Sequence, residues 1–201
     1  MAADKTWFEH YAARMNDQYR DHMRKKYAKH INMVASAASK DNGLRVAEIG
    51  CGAANITRLV SERIIKKSND TIFPRYVILD SCPQMLGLAR ANLLAVSDHV
   101  AQLGNALDLG MSKDLMDVDV FHSHGVLEHF RDGQINVIIN EQKRMASRGA
   151  QLIHYVPSAK YEKPSFGDER LMTPDQWFDI CMPDDIIEFN DGYDLILKWS
   201  L

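Results

Sequence analysis

The chain has 201 residues, 46% apolar and 25% charged, enough to remove roughly 70% of its unfolded surface from water. That balance excludes a disordered, collagen-like or disulfide-scaffold protein, and no apolar run reaches the ~18 residues of a membrane-spanning helix. With 24 basic and 27 acidic residues the net charge is −3, so no global field draws the chain onto nucleic acid. The opening MAADKTWFEHYAARM is charged and aromatic, unlike a secretory signal. Cys51, Cys82 and Cys181 are odd in number and widely spaced, which fits free thiols in a reducing compartment. The expectation is a cytoplasmic protein of one domain spanning residues 1–201.

Residues 1–40 read as helix, with Trp7, Tyr11, Met15, Tyr19, Met23, Tyr27, Ile31 and Val34 forming a stripe of nearly constant four-residue step. Each such step drifts about 40° around a helix, so a single straight helix cannot keep the stripe on one face. Two helices are expected, broken near Asn16-Asp17. The basic residues Arg24, Lys25, Lys26 and Lys29 read as a solvated face. After the turn signal Asp41-Asn42-Gly43, strands and helices alternate over residues 44–156. Strands are expected at 44–49, 76–79, 100–103, 118–122 and 151–156. Helices are expected at 55–67, at 83–96 and, capped by Asp132, at 133–147. Short strands separated by helices imply βαβ units and a parallel sheet. In the last part, 157–201, a polar loop over 158–170 is long enough to be functional. Thr173-Pro174-Asp175-Gln176 then reads as a capping box starting a helix to about Cys181, and 186–189 with 195–199 read as an antiparallel hairpin around Asn190-Asp191-Gly192. The fold class is therefore α/β: a Rossmann-like, doubly wound, mostly parallel sheet with a C-terminal antiparallel hairpin and N-terminal helices over the site.

The most informative stretch is VAEIGCGAANITRLV, residues 46–60. A strand runs into Gly50-Cys51-Gly52-Ala53-Ala54 and then a helix, which gives a tight turn whose backbone can approach a ligand at a helix N-terminus. Asn55 stands where a G-x-G-x-x-G fingerprint needs glycine, and no Lys-Ser/Thr pair follows, so a Walker phosphate cradle is out. Glu48, two residues before the turn, would repel a diphosphate and attract a cation.

This combination resembles the class I S-adenosylmethionine-dependent methyltransferases, and the resemblance covers roughly residues 44 to 156. It implies that Glu48, Gly50, Cys51 and Gly52 border the cofactor S-adenosyl-L-methionine, whose product is S-adenosyl-L-homocysteine. Asp80, in VILDSCPQMLGLAR, matches the acidic residue that accepts the ribose hydroxyls, and a carboxylate can receive two donors side by side. By the same resemblance Ser81 and Met85 line the adenine pocket, and Asn105 receives the adenine amino group. Ala106 and Leu107 supply a backbone donor and an apolar wall, and Ser123 and His124 border the methionine moiety. Ala54 stands where many members have a third glycine.

Methyl transfer from a sulfonium is an in-line displacement in which proximity and exclusion of water carry most of the catalysis. A hydroxyl acceptor also needs a base, and an imidazole suits the task, which makes His129 and then His124 the candidate catalytic residues. Tyr11, Tyr19 and Tyr155 are the candidate acceptor contacts. His122 and His124 share a strand face, with His154 on the neighbouring strand. The adjacent pair Glu128-His129 lacks the four-residue spacing of a two-ligand helix, and Gly125 stands where, by resemblance to some quinone-pathway relatives, an acidic residue would be needed, so no metal is expected. The segment after the fourth strand, His122-Ser123-His124-Gly125, lacks the Asn/Asp-Pro-Pro-aromatic element of enzymes that methylate adenine or glutamine amines. Neither Cys51 nor Cys82 is placed as a cytosine-attacking thiolate, and no basic surplus favours nucleic acid. A small-molecule acceptor is the leading expectation. A non-catalytic S-adenosylmethionine-binding module acting through protein partners is the second, and a nicotinamide oxidoreductase, disfavoured by Glu48 and Asn55, the third.

Overall fold

The structure, a computed structural model, describes residues 8, 9, 11, 12, 14, 16–39, 43–69, 71, 72, 74–94, 98–110, 112–165 and 167–201. Trp7 and Met15 of the N-terminal stripe, Asp41 and Asn42 of the first turn, and Ala95 and Val96 of the helix expected to reach 96 lie outside them.

The helical break falls where the stripe demands it. Helix α1 (Asp17–Lys26) starts on Asn16, whose side chain accepts the Tyr19 N–H at 2.9 Å. A second break, not foreseen, follows at Tyr27, and α2 (Ala28–Ala38) continues from it. Each break resets the drift of the four-residue step, so Met23, Ile31 and Val34 are all buried. The basic cluster is largely engaged locally: Arg24 pairs with Asp21 and Glu62, Lys29 donates to the Glu188 carbonyl, and Lys26 lies 5.1 Å from the Tyr27 ring centre.

Strand β1 (Arg45–Ile49) leads into α3 (Asn55–Ser68), β2 (Arg75–Asp80) into α4 (Pro83–Leu93), and β3 (His99–Leu103) follows. Then come β4 (Val118–His124), α5 (Asp132–Met145), β5 (Ala146–Pro157), α6 (Pro174–Cys181) and the hairpin β6 (Asp185–Phe189) with β7 (Asp194–Ser200). The seven strands form one sheet in the order β3-β2-β1-β4-β5-β7-β6, parallel except for the pairings made by β7.

Both boundaries of the helix expected at 133–147 differ from the sequence expectation. Helix α5 begins on Arg131, whose N–H is accepted by the Gln134 side chain, and Asp132 is its first residue rather than its cap. It also stops at Met145, because 146–149 are drawn into β5. The capping box of α6 forms as expected, with the Gln176 N–H donating to Thr173 Oγ1 at 3.2 Å and the Thr173 N–H to Gln176 Oε1 at 2.9 Å.

Alternation along the strands builds two cores. Val46, Tyr76, Val120, Ile153 and Ile196 pack with Ile31 and Val34 of α2 and Leu59, Val60 and Ile64 of α3. Ala47, Val77, Phe121, Leu152, Leu197 and Trp199 face the other way, onto Ile135, Ile138 and Ile139 of α5 and Trp177 of α6. Each fully buried aliphatic side chain contributes about 1.5–3 kcal/mol, so both faces hold their helices firmly. Chain order reverses between β1 and β4, and at such a switch point the crevice beyond the strand ends opens.

Candidate functional site

A cavity of about 380 Å³ lies at that switch point, within the range of small-ligand sites. Its floor is the end of β1. Glu48 pairs in register with Ile78 of β2 and His122 of β4, and is 2% exposed. Thr57 Oγ1 donates to Glu48 Oε2 from the first turn of α3. Burial dominates, and pushes the Glu48 carboxyl up to about 8, with the Thr57 hydroxyl acting in the opposite direction. The turn that follows requires glycine: Gly50 has φ +66°, and a Cβ there would stand 2.7 Å from Val126 Cγ2. Cys51 and Gly52 complete the lining on this side, and burial raises the Cys51 thiol well above its ordinary range.

Asp80 ends β2 in the same cavity. Its Oδ2 accepts the Gly52 N–H at 2.8 Å and its Oδ1 the Cys82 N–H at 2.9 Å, so one carboxylate ties the glycine turn to the start of α4. A carboxylate has about four lone-pair sites, so capacity for a ligand's hydroxyls remains. Ser81, Met85, Asn105 and Ala106 line the same space. Leu107 does not. Its N–H is spent on Asn105 Oδ1 at 3.0 Å, and its side chain packs against the α5 core, so the expected donor and wall are turned elsewhere.

Parity along β4 separates the remaining candidates. His122 and His124 face the α2 side. Ser123 faces the other, where its hydroxyl meets His154 Nδ1 at 2.8 Å, and it lines neither cavity. The alternation of the strand thus turns Ser123 away from the cavity in which its contact with a cofactor's methionine end is expected. The same alternation removes His154 from the face of His122 and His124, since His154 pairs with Ser123 in register. His30 of α2, not singled out in the sequence, joins the α2-side group: its Nδ1 lies 3.4 Å from His124 Nδ1, and its ring centre 6.2 Å from that of His122. Burial, then mutual repulsion, lowers His122 and His124 well below the usual imidazole range and keeps them neutral. Neither His122 nitrogen has a hydrogen-bond partner among the described residues, and its Nδ1 lies 4.0 Å from Glu48 Oε1.

The outer wall comes from two segments far apart in sequence. A 3₁₀ turn at Leu127–His129 meets the loop 158–170, which Arg170 fastens: its N–H donates to the Glu128 carbonyl at 3.0 Å and its guanidinium to the Phe130 carbonyl at 2.7 Å and Asp132 at 2.5 Å. This brings Asp168 Oδ1 to 2.8 Å from His129 Nδ1, and that contact holds the Asp168 carboxyl below its ordinary value. His129, His124 and Tyr11 all line the large cavity.

A second cavity of about 180 Å³ adjoins it and shares Tyr11, Met23, His124 and Gly125. Tyr19 and Tyr155 lie here rather than in the larger space, with Tyr27, Tyr161, Lys26, Glu128 and Glu169. Tyr155 stacks on His124 at 4.1 Å between ring centres, and its hydroxyl donates to Asp194 at 2.7 Å. Glu128 is 1% exposed, and burial pushes its carboxyl up to about 8. Asp168, Glu169 and Tyr161 were not picked out from sequence, and Tyr27 only as a member of the N-terminal stripe. The one signal for the first two and for Tyr161 was the length of the polar loop that carries them.

No protein-family model matches the sequence, and no curated protein does. Solved structures match in fold. An S-adenosylmethionine-dependent methyltransferase from Aquifex aeolicus is 14% identical with a TM-score of 0.65, over 92% of this chain and 98% of that one. The N-methyltransferase NodS from Bradyrhizobium japonicum WM9, in complex with S-adenosyl-L-homocysteine, is 15% identical with a TM-score of 0.61, over 92% and 88%. A Haloferax volcanii putative methyltransferase in complex with the Trm112 activator is 16% identical with a TM-score of 0.62, over 96% of each chain. With its seven-stranded sheet, a single reversed strand order and an antiparallel C-terminal pair, the chain has the Rossmann-like fold of the S-adenosylmethionine-dependent methyltransferases.

Proposed function

We propose that the protein is an S-adenosylmethionine-dependent methyltransferase of a small-molecule acceptor, with the cofactor in the larger cavity and the acceptor in the smaller. One observation carries this reading: Glu48 and Asp80, at the ends of adjacent strands, face one cavity across the Gly50–Gly52 turn. Two carboxyl groups there disfavour a diphosphate and suit a cationic sulfur nucleoside, the amino-acid end toward Glu48 and the ribose toward Asp80. In this assignment Met85, Ser81, Asn105 and Ala106 border the base.

The adjoining cavity puts an acceptor beside the methyl group. A lone pair of the acceptor attacks the methyl carbon, the C–S bond breaks, and sulfur keeps its electrons as a neutral thioether. Holding both reactants in line supplies about 7–11 kcal/mol of the barrier reduction. The acceptor's proton leaves toward His129, the imidazole with Asp168 on its Nδ1. His124 is the weaker candidate, because its ring is packed against His30, Tyr27 and Tyr155 and held neutral by burial. The acceptor rests against Tyr11, Tyr19 and Tyr155, and the small second cavity favours a small molecule over nucleic acid. We read residues 1–201 as one domain in which 1–40 cover the 44–156 core.

Calorimetry with S-adenosylmethionine and S-adenosylhomocysteine is the first test, followed by production of S-adenosylhomocysteine with a panel of small hydroxyl and amine acceptors. Saturable binding and acceptor-dependent turnover are expected. Absence of binding at millimolar cofactor removes the proposal. Binding without turnover on any acceptor would favour the non-catalytic module instead.

A further inference from the structure

We propose that Glu128, His129 and Glu169 bind a divalent transition-metal ion, of the Zn²⁺ or Mn²⁺ kind, on the wall between the two cavities. Each offers a ligand atom, and these atoms all lie within 4.8 Å of one another. Ligands at about 2.0–2.2 Å from one ion sit some 3–4 Å apart, so a side-chain adjustment of about 1 Å closes the set.

Three independent features point to a cation rather than to a chance cluster. First, Glu128 is buried and lines the second cavity, yet its Oε2 has no hydrogen-bond partner among the described residues. A buried carboxylate oxygen left unmatched is costly, and a bound cation would satisfy it. Second, Asp168 meets His129 Nδ1 at 2.8 Å, the kind of carboxylate contact that orients a metal-binding imidazole. Third, the pieces are brought together by protein contacts alone. Arg170 clamps the loop onto Phe130 and Asp132, and the Ser165 N–H and hydroxyl both donate to Glu169 at 2.7 Å. Gly125 keeps space open beside the site, since a Cβ there would stand 3.3 Å from Glu128 Oε1. Lys26, the cation that faces the same cavity, lies over the Tyr27 and Tyr161 rings at 5.1 and 5.4 Å.

One imidazole and two carboxylates suit Zn²⁺ or Mn²⁺ better than a soft thiophilic ion, and three protein ligands leave a position open. Glu128 and Glu169 line the acceptor cavity, so the ion would take an oxygen of the acceptor, and His129 would serve the reaction as a ligand rather than as a free base. Only this last step rests on the methyltransferase reading.

The test uses the full chain stripped of metal. Zn²⁺ is titrated against a chromophoric chelator, Mn²⁺ binding is followed by electron paramagnetic resonance, and S-adenosylhomocysteine binding is measured separately by calorimetry. One ion per chain is expected, with affinity weakened about tenfold or more in Glu128→Gln and in Glu169→Gln, and the nucleoside affinity unchanged within about twofold. Glu169 is partly exposed, so its variant carries the test if Glu128→Gln fails to fold. Absence of binding at about 1 mM of either ion, or variants that bind as tightly as the parent, overturns the proposal. Metal binding without nucleoside binding would remove the methyltransferase reading and leave the metal site standing; the converse would do the opposite.

Discussion

Replacing Glu48 by Gln tests the electrostatics of the cofactor cavity, because it keeps the shape of the side chain and removes its ability to ionise. In the empty site burial holds the Glu48 carboxyl near 8, so at neutral pH it carries a proton. A ligand bearing ammonium and sulfonium charges favours the ionised form and must expel that proton. Well below pH 8 each unit then costs about 1.4 kcal/mol, or tenfold in affinity, and because half of the groups are already protonated at pH 8, the loss between pH 8 and pH 6 is about 2.3 kcal/mol, roughly 50-fold. Isothermal calorimetry in two buffers of different ionisation heat reads the effect directly. The parent should release close to one proton per S-adenosylmethionine bound at pH 7 and bind more tightly as pH rises to 8. Glu48→Gln should release none and show a flat profile at lower affinity. The empty protein gives a second reading of opposite sense. Its raised carboxyl binds a proton that the unfolded chain, near 4.5, has already lost. The corresponding stability is full below pH 4.5 and fades as pH rises toward 8, by up to about 1.4 kcal/mol per unit. Glu128, also near 8, adds to the same slope, so the variant keeps part of it. A parent whose affinity is level between pH 6 and pH 8, or a variant that retains the pH slope in binding, refutes the reasoning.

Asp80→Asn removes the charge and leaves one acceptor oxygen for two backbone donors, Gly52 and Cys82. Denaturant melts should show a loss of about 1.5–3 kcal/mol, accompanied by at least about tenfold weaker nucleoside binding; unchanged stability would mean the two bonds contribute nothing. Gly50→Ala forces a side chain into a left-handed backbone against Val126, and about 3 kcal/mol should be lost. Adding Val126→Ala should restore part of it, and a single variant as stable as the parent contradicts the close approach. Tyr155→Phe deletes the hydroxyl bonded to buried Asp194, which keeps Tyr161 and Asn190 as donors. About 1 kcal/mol of stability should be lost with nucleoside affinity intact, and a changed KM for the acceptor would identify Tyr155 as a contact rather than a support.

Local chemistry made much of the fold legible. The capping box at Thr173, the break at Asn16 and the glycine turn after β1 are each decided within a few residues, and each forms where the sequence places it. Residues at strand ends, such as Glu48 and Asp80, share that advantage, since the end of a strand fixes which cavity they face. Ser123 and Leu107 lie outside the lining of both cavities for the converse reason. Proximity in sequence to the site says nothing of which face a strand residue takes, or of whether a backbone donor is already used by a neighbouring side chain. The helix end at Met145 was hidden because Ala146 pairs with Val118 of distant β4 and starts β5 there, a tertiary effect that local sequence does not show.

The acceptor side was illegible for a deeper reason. Its wall is made where residues 127–132 meet residues 158–170, and the join depends on Arg170, whose bonds to Phe130 and Asp132 no spacing rule anticipates. The histidines illustrate the same point. Strand alternation sends His154 to one face, while α2 supplies His30 to the other, so the group that forms around His124 differs from any that the sequence order suggests. Burial keeps the imidazoles of that group neutral, whereas His129 lines the larger cavity beside carboxylates. On the proposed reading, reactivity toward the acceptor belongs to the loop-built wall rather than to the strand-built floor, and exchanging the 158–170 loop should change acceptor choice while leaving nucleoside binding at the ends of β1 and β2 in place.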